Sequence, residues 1–308
     1  MEMGTEMGMD IGEVLVFILC GVLTLIFLLF RWYNFTLNGW PPERNKKAKY
    51  IFGLLPFVSL AVILYTLFKL ASFDVVGDAL YTAFYVAIGF AWIYMGLTAM
   101  SLFFDISWID DALNLSNNAA LAAVAGGFIG ITLIYAGANI GDGPGWWCVI
   151  FAGGLGLVSW ILLGIIINIV TKAFYNITVG RDFNCGIRTG SYFLASGIIL
   201  ARACAGDWTS FSMTVIEFSD GWPVLVLTAL MIAVEIFLIN HIDSFKPRYN
   251  SYSKSEIKAG ANDSNLLSVS IIAGIIYIIL AIVSVILLPP LPVNPSYSDL
   301  AVKWGAML

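Results

Sequence analysis

Charge is what this sequence has least of. Of its 308 residues only 11% are Asp, Glu, Lys or Arg, against 60% that are hydrophobic, whereas a soluble domain carries about 25% charged residues. With a mean hydropathy of +0.90, too little polar surface remains to cover a water-exposed globule. Histidine is nearly missing. His241 is the single one, which excludes bis-histidine haem, two-histidine metal sites and di-iron centres of carboxylates plus histidines. The four cysteines form neither a CxxC pair nor a disulfide framework. The glycines of GDGPG at 141–145 are not followed by the GK[ST] of a phosphate loop, and no stretch is basic enough for nucleic acid. No metal and no cofactor are therefore expected. An enzyme is disfavoured too, because hydrolysis or redox work needs a denser polar constellation than this.

What the sequence has in abundance is long apolar runs. A bilayer core about 30 Å thick takes roughly 20 apolar helical residues per crossing, and eight runs qualify, near 12–30, 50–72, 79–104, 118–139, 146–171, 187–205, 223–241 and 266–289. The fold class expected is all-α, a polytopic transmembrane bundle in contact with the lipid bilayer. The leader MEMGTEMGMDIGE is acidic, unlike the basic start of a secretory signal, so the first run is expected to stay as a span. Counting Lys and Arg by loop places twelve on one side and three, Lys69, Arg202 and Lys303, on the other. By the positive-inside rule the rich side is cytoplasmic, which puts both termini outside.

The spans entering from outside begin near 12, 79, 146 and 223, so the chain reads as tandem two-helix hairpins in parallel orientation, an internal repeat. Three returning spans open on an Asn followed by small residues: Asn118 in NAALAAVAGGFIG, Asn184 in NCGIRTGSYFLASG and Asn265 in NLLSVSIIAGIIY. The Asn is expected to cap its helix or, with Asn118 facing Asn184, to line a polar path. Gly126 and Gly130, like Gly186 and Gly190, are four apart and lie on one face, the pattern of a close helix–helix seam in lipid. Gly153, Gly154 and Gly156 look similar on the preceding span. Pro56 is expected to kink the second span. The units are an N-terminal hairpin over 1–78, a paired-hairpin core over 79–209, and a C-terminal hairpin with its tail over 210–308.

The core carries a resemblance. SNNAALAAVAGGFIGITLIYAGA and RDFNCGIRTGSYFLASGIILARACAGDW are similar to the paired returning helices of the bacterial inner-membrane family called domain of unknown function 350. Asn118, Ala119 and Ala120 match its first entry; Asn184, Cys185 and Gly186 replace the alanines of the second. The resemblance implies a multi-pass protein of a prokaryotic plasma (inner) membrane, associated with membrane-stress and membrane-remodelling systems, and it names no reaction.

Ionisable groups inside a membrane are costly unless paired or hydrated. Glu235 lies in VLVLTALMIAVEIFLINH, and Arg188 lies just inside the mouth of its span at a comparable depth. They are expected to pair, either as a structural tie or as part of a transport site together with Asn118 and Asn184. Two functions follow. The first is a non-enzymatic pore, carrier or permeation module, drawn from the repeats, the small-residue seams and Glu235. The second is a structural or scaffolding subunit that packs in a homo-oligomer or against other membrane subunits, or recruits a cytoplasmic membrane-remodelling partner. A hydrated path to Glu235 favours the first; a dry, close-packed interior favours the second.

Overall fold

The computed structural model describes residues 9–37, 46–72, 75, 78–241 and 264–289, so both termini and most of the 242–265 loop lie outside the described residues. Within that range the chain is all-helical, with a single bridge between Ala71 and Gly141. Helix α1 (Ile11–Leu25) continues as a π-helical segment, Ile26–Leu37. There follow α2 (Lys46–Lys69), α3 (Ala79–Phe103), a short π-helix (Trp108–Asn114), α4 (Asn118–Ala138) and α5 (Trp146–Thr171). The short α6 (Ala173–Thr178) leads to α7 (Phe183–Cys204), then α8 (Phe211–Phe218), α9 (Pro223–His241) and α10 (Ser264–Leu287). The end of the bundle where α4 and α7 begin is called the basic end here, and the other the far end.

Among the described residues, seven helical stretches are long and apolar enough to cross a membrane: Ile11–Thr36, Lys46–Lys69, Ala79–Phe103, Asn118–Ala138, Trp146–Thr171, Phe211–Ile239 and Leu266–Leu287. The eighth expected span, α7, is 22 residues long but less apolar, because Arg188, Thr189 and Ser196 are buried on it. It lies against α4 from end to end. A Cβ on Gly186 would meet the backbone of Ala119, one on Gly190 that of Ala122, one on Gly130 the Phe193 carbonyl and one on Gly137 the Ala201 carbonyl. Contacts that advance together along both chains mean that the two helices run in the same direction. Without side chains between them, the backbones touch, which is the association expected where lipid supplies no hydrophobic drive. Gly126, facing the Gly190 carbonyl, sits in the same seam. Gly154 does not belong to any seam, since a Cβ there meets nothing.

The returning helices form a row, with α4 between α2 and α7, and α7 between α4 and α10. Of the outgoing helices, α3 packs on α2 and α4, α5 on α4 and α7, and α9 on α7 and α5, while α1 packs chiefly on α3. Polar ties reinforce the row. Ser59 of α2 bonds Thr132 of α4 at 2.8 Å. At the far end the Gly141 amide donates to the Leu70 carbonyl and the Gly206 amide to the Ile140 carbonyl, at 3.1 and 3.0 Å. Both glycines hold positive φ, 111° and 147°, where a side chain would be strained. Helix α2 runs unbroken through Pro56, which is buried; neighbouring helices hold it in place of the lost hydrogen bond.

Two entry assignments need correction. The caps are Asn117 and Asp182, one and two residues earlier than Asn118 and Asn184. Asn117 accepts from the Ala119 and Ala120 amides, and Asp182 from the Asn184 and Cys185 amides. The reason is the turn before each helix: Ser116 and Arg181 both take φ +52°, which leaves the next residue extended and ready to cap. Asn117 also donates to the Ile177 carbonyl at 2.8 Å, tying the two basic-end loops together.

If the α4–α7 seam depends on bare backbone, Gly126→Val should lower stability by about 2–3 kcal/mol through overpacking, while Gly154→Ala should be neutral or slightly stabilising. Thermal unfolding in detergent distinguishes them; equal losses would contradict the seam.

Candidate functional site

In water a helix turns its polar face outward, but α7 is inverted. Arg188, Thr189 and Ser196 are 0% exposed, because the surroundings of the bundle are lipid and polar groups find partners only inside. Arg188 and Glu235 are brought together. The Arg188 Nε donates to Glu235 Oε1 at 2.5 Å and Nη2 donates to Oε2 at 2.9 Å, a two-pronged, charge-assisted arrangement. Arg188 Nη1 donates to the Ser270 hydroxyl at 2.6 Å. One guanidinium thus joins α7, α9 and α10. Glu235 is 2% exposed and Ser270 0%, so the cluster is sealed from lipid.

One turn further along α7, the Tyr192 hydroxyl pairs with Thr228 of α9 at 2.8 Å. Thr228 itself donates to the Val224 carbonyl, so Tyr192 is the donor in that pair. Tyr277 of α10 is 1% exposed, and its hydroxyl has no hydrogen-bond partner among the described residues. Gly274 of α10 leaves room for Ser191 of α7, which lets the two helices close around the ion pair.

Of the other expected site residues, Asn118 is exposed at the mouth of α4 and Asn184 is half-buried, one and two residues after the residue that caps its helix. Gly126, Gly130, Gly186 and Gly190 lie in the α4–α7 seam. Ser270, Tyr192, Thr228 and Tyr277 were missed by the sequence reading. Thr228 and Tyr277 are single polar groups in apolar runs, and Tyr192 and Ser270 have other hydroxyl residues close by in sequence. The signal is weaker than that of Glu235 because a hydroxyl is less costly in a membrane than a charge, and a serine or threonine there can bond its own backbone.

Chemically the arrangement is closed. Both oxygens of the carboxylate are engaged by the one guanidinium. Among the described residues no group of three or more His, Cys, Asp or Glu is placed to hold a metal. The groove that flanks α9 and α10 is lined by Val234, Phe237, Leu238, Val269, Ile272 and Ile276, with two alanines; such walls offer nothing to a hydrated ion. No family model, curated protein or solved structure matches the chain.

Removing one partner of a buried pair leaves the other charge stranded. Glu235→Ala should therefore cost about 3–5 kcal/mol, and Ser270→Ala, which removes one hydrogen bond to a charged group, about 1.5–3 kcal/mol, read as thermal unfolding in detergent. A Ser270 variant as damaged as the Glu235 variant would contradict the assignment of the main tie.

Proposed function

We propose that this integral membrane protein is a non-enzymatic scaffolding subunit, in which the buried ion pair holds the C-terminal hairpin to the core rather than passing an ion. The observation that carries the reading is the saturation of Glu235: both its oxygens are bonded to one arginine in an interior that is 0–2% exposed. A transport carboxylate has to exchange partners with water or with its cargo, and here such exchange would strand Arg188 in a low-dielectric core. Work is then done by the outer faces of the helices, through other membrane subunits, further copies of the chain or a cytoplasmic membrane-remodelling partner. That setting fits the resemblance of residues 79–209 to the inner-membrane family with membrane-stress associations. The proposal includes a prokaryotic plasma membrane, both termini outside, and a core that arose as paired hairpins. Its support is the shared local design of the two basic-end loops, in which Asp105 and Lys172, like Ser116 and Arg181, take positive φ at corresponding places.

A permeation module is the second reading, favoured by Tyr277, whose buried hydroxyl is unpartnered and so open to a transient guest. Glu235→Gln decides between them. In liposomes, scaffolding predicts that wild type and variant leak protons and cations alike, with the variant less heat-stable. A proton- or cation-dependent flux in the wild type that Glu235→Gln abolishes at no cost in stability would establish permeation instead.

A further inference from the structure

The ion pair has a consequence on the lipid side of the bundle. The Arg188 guanidinium is bonded to Glu235 of α9 through Nε and Nη2, and to Ser270 of α10 through Nη1. It therefore stands between the two helices, and each of them packs more on α7 than on the other. At that same level, along residues 233–238 of α9 and 269–276 of α10, the helices leave a groove of about 540 Å³.

The groove is a depression rather than a flat face. Leu238 and Ala273 in its wall are 2% and 8% exposed, whereas Phe237 and Ile272 beside them are each 56% exposed. All eight residues that line it are apolar. Seven residues of α10 amount to about 10 Å of helix rise, less than half of a bilayer core about 30 Å thick. Leu238 lies three residues from the end of α9, and Val269 five from the start of α10. The groove thus lies toward the basic end and within one leaflet.

Length, polarity and position decide what fits there. The chain beyond α10 leaves from the far end, and the segment joining α9 to α10 has no apolar run to lay in such walls. A partner helix would run the whole thickness of the bilayer, and it associates through small residues or hydrogen bonds. Here the exposed walls are Val269, Ile272, Ile276 and Phe237, with no glycine and no polar group. A single hydrocarbon chain of one leaflet matches the length and the chemistry. At the same end of the bundle Lys172 and Arg181 are exposed, and cations at that level attract anionic headgroups.

We propose that the groove between α9 and α10 seats an acyl chain of an anionic phospholipid from the leaflet at the basic end. The chain fills the gap that the guanidinium holds open and covers the lipid side of the buried pair. The lipid is then a bound component of the C-terminal hairpin, distinct from the exchanging lipid around the rest of the bundle.

Native mass spectrometry of the full, delipidated chain in detergent tests this, with equal amounts of dioleoyl phosphatidylglycerol and dioleoyl phosphatidylcholine added. The two lipids share their chains and differ in headgroup charge. Wild type should retain the anionic lipid over the zwitterionic one by about fivefold, the scale of one basic residue near the surface. Ala233 lies in the groove wall and is exposed, so Ala233→Leu fills the groove without entering the core. It should lower retention of the anionic lipid about four- to fifteenfold, the loss of contacts worth one to two methylene groups. Gly154→Leu adds the same bulk to the surface of α5, where a Cβ meets nothing, and should leave retention unchanged. Equal retention of the two lipids by wild type, undiminished retention by Ala233→Leu, or an equal loss in Gly154→Leu would each overturn the proposal. So would a dimer of the chain that Ala233→Leu separates, since the groove would then belong to a second copy.

Discussion

Two helix backbones in direct contact set the geometry of the remainder. Along the α4–α7 seam, glycine and alanine bring carbonyls of one helix against Cα atoms of the other. In a bilayer this contact is among the few sources of helix association, since lipid tails are as apolar as leucine. With α4 and α7 fixed side by side and running the same way, α2 and α10 can only add to the outer flanks of the row. The outgoing helices then fill the second layer. The same close approach turns the remaining surface of α7 toward α9 and α10, and that surface carries the polar groups.

A buried ion pair contributes less to stability than its strength suggests, because taking both charges out of water is expensive. Its effect here is better described as specificity. Helix α10 is otherwise an apolar cylinder, with Ile272, Ile275, Ile276, Ile279 and Ile286 exposed, and many rotations about its axis would satisfy lipid equally well. Only one places Ser270 against Arg188 while Gly274 admits Ser191. Glu235 fixes α9 in the same way, and the Tyr192–Thr228 bond repeats the constraint a turn further on. One arginine thereby selects the docking of an entire hairpin.

The parts legible in the sequence were those with a one-dimensional signature. Apolar runs located most of the spans to within a few residues; α5, expected over 146–171, is Trp146–Thr171, whereas the span expected over 223–241 begins at Phe211 and the one expected over 187–205 is not apolar enough to count among the seven. Glu235 and Arg188 stood out because a charge in such a run has no inexpensive alternative to a partner. Partners with weaker signatures were invisible. That Ser270 meets Arg188 depends on how α10 rotates, and Ser268 two residues earlier looks no different on paper. The loops at the basic end were hidden for another reason. Their short helices, Trp108–Asn114 and Ala173–Thr178, follow positive-φ residues that are Asp105 and Lys172 rather than glycine, so the usual marker of such a turn is missing. The caps were misplaced by one or two residues on the same account, and α8 was left outside a span that extends over Phe211–Ile239.

The central claim is that Arg188 and Glu235 act as one closed structural unit, and a double-mutant cycle measures this most directly. Arg188→Met, Glu235→Met and the double variant are compared by thermal unfolding in the same detergent. Each single change leaves a stranded charge, whereas the double change leaves two apolar side chains of similar length. A closed pair predicts that the double variant loses less than the two singles combined, by about 2 kcal/mol or more. Losses that simply add would contradict it, since the two side chains would then be held by something other than each other.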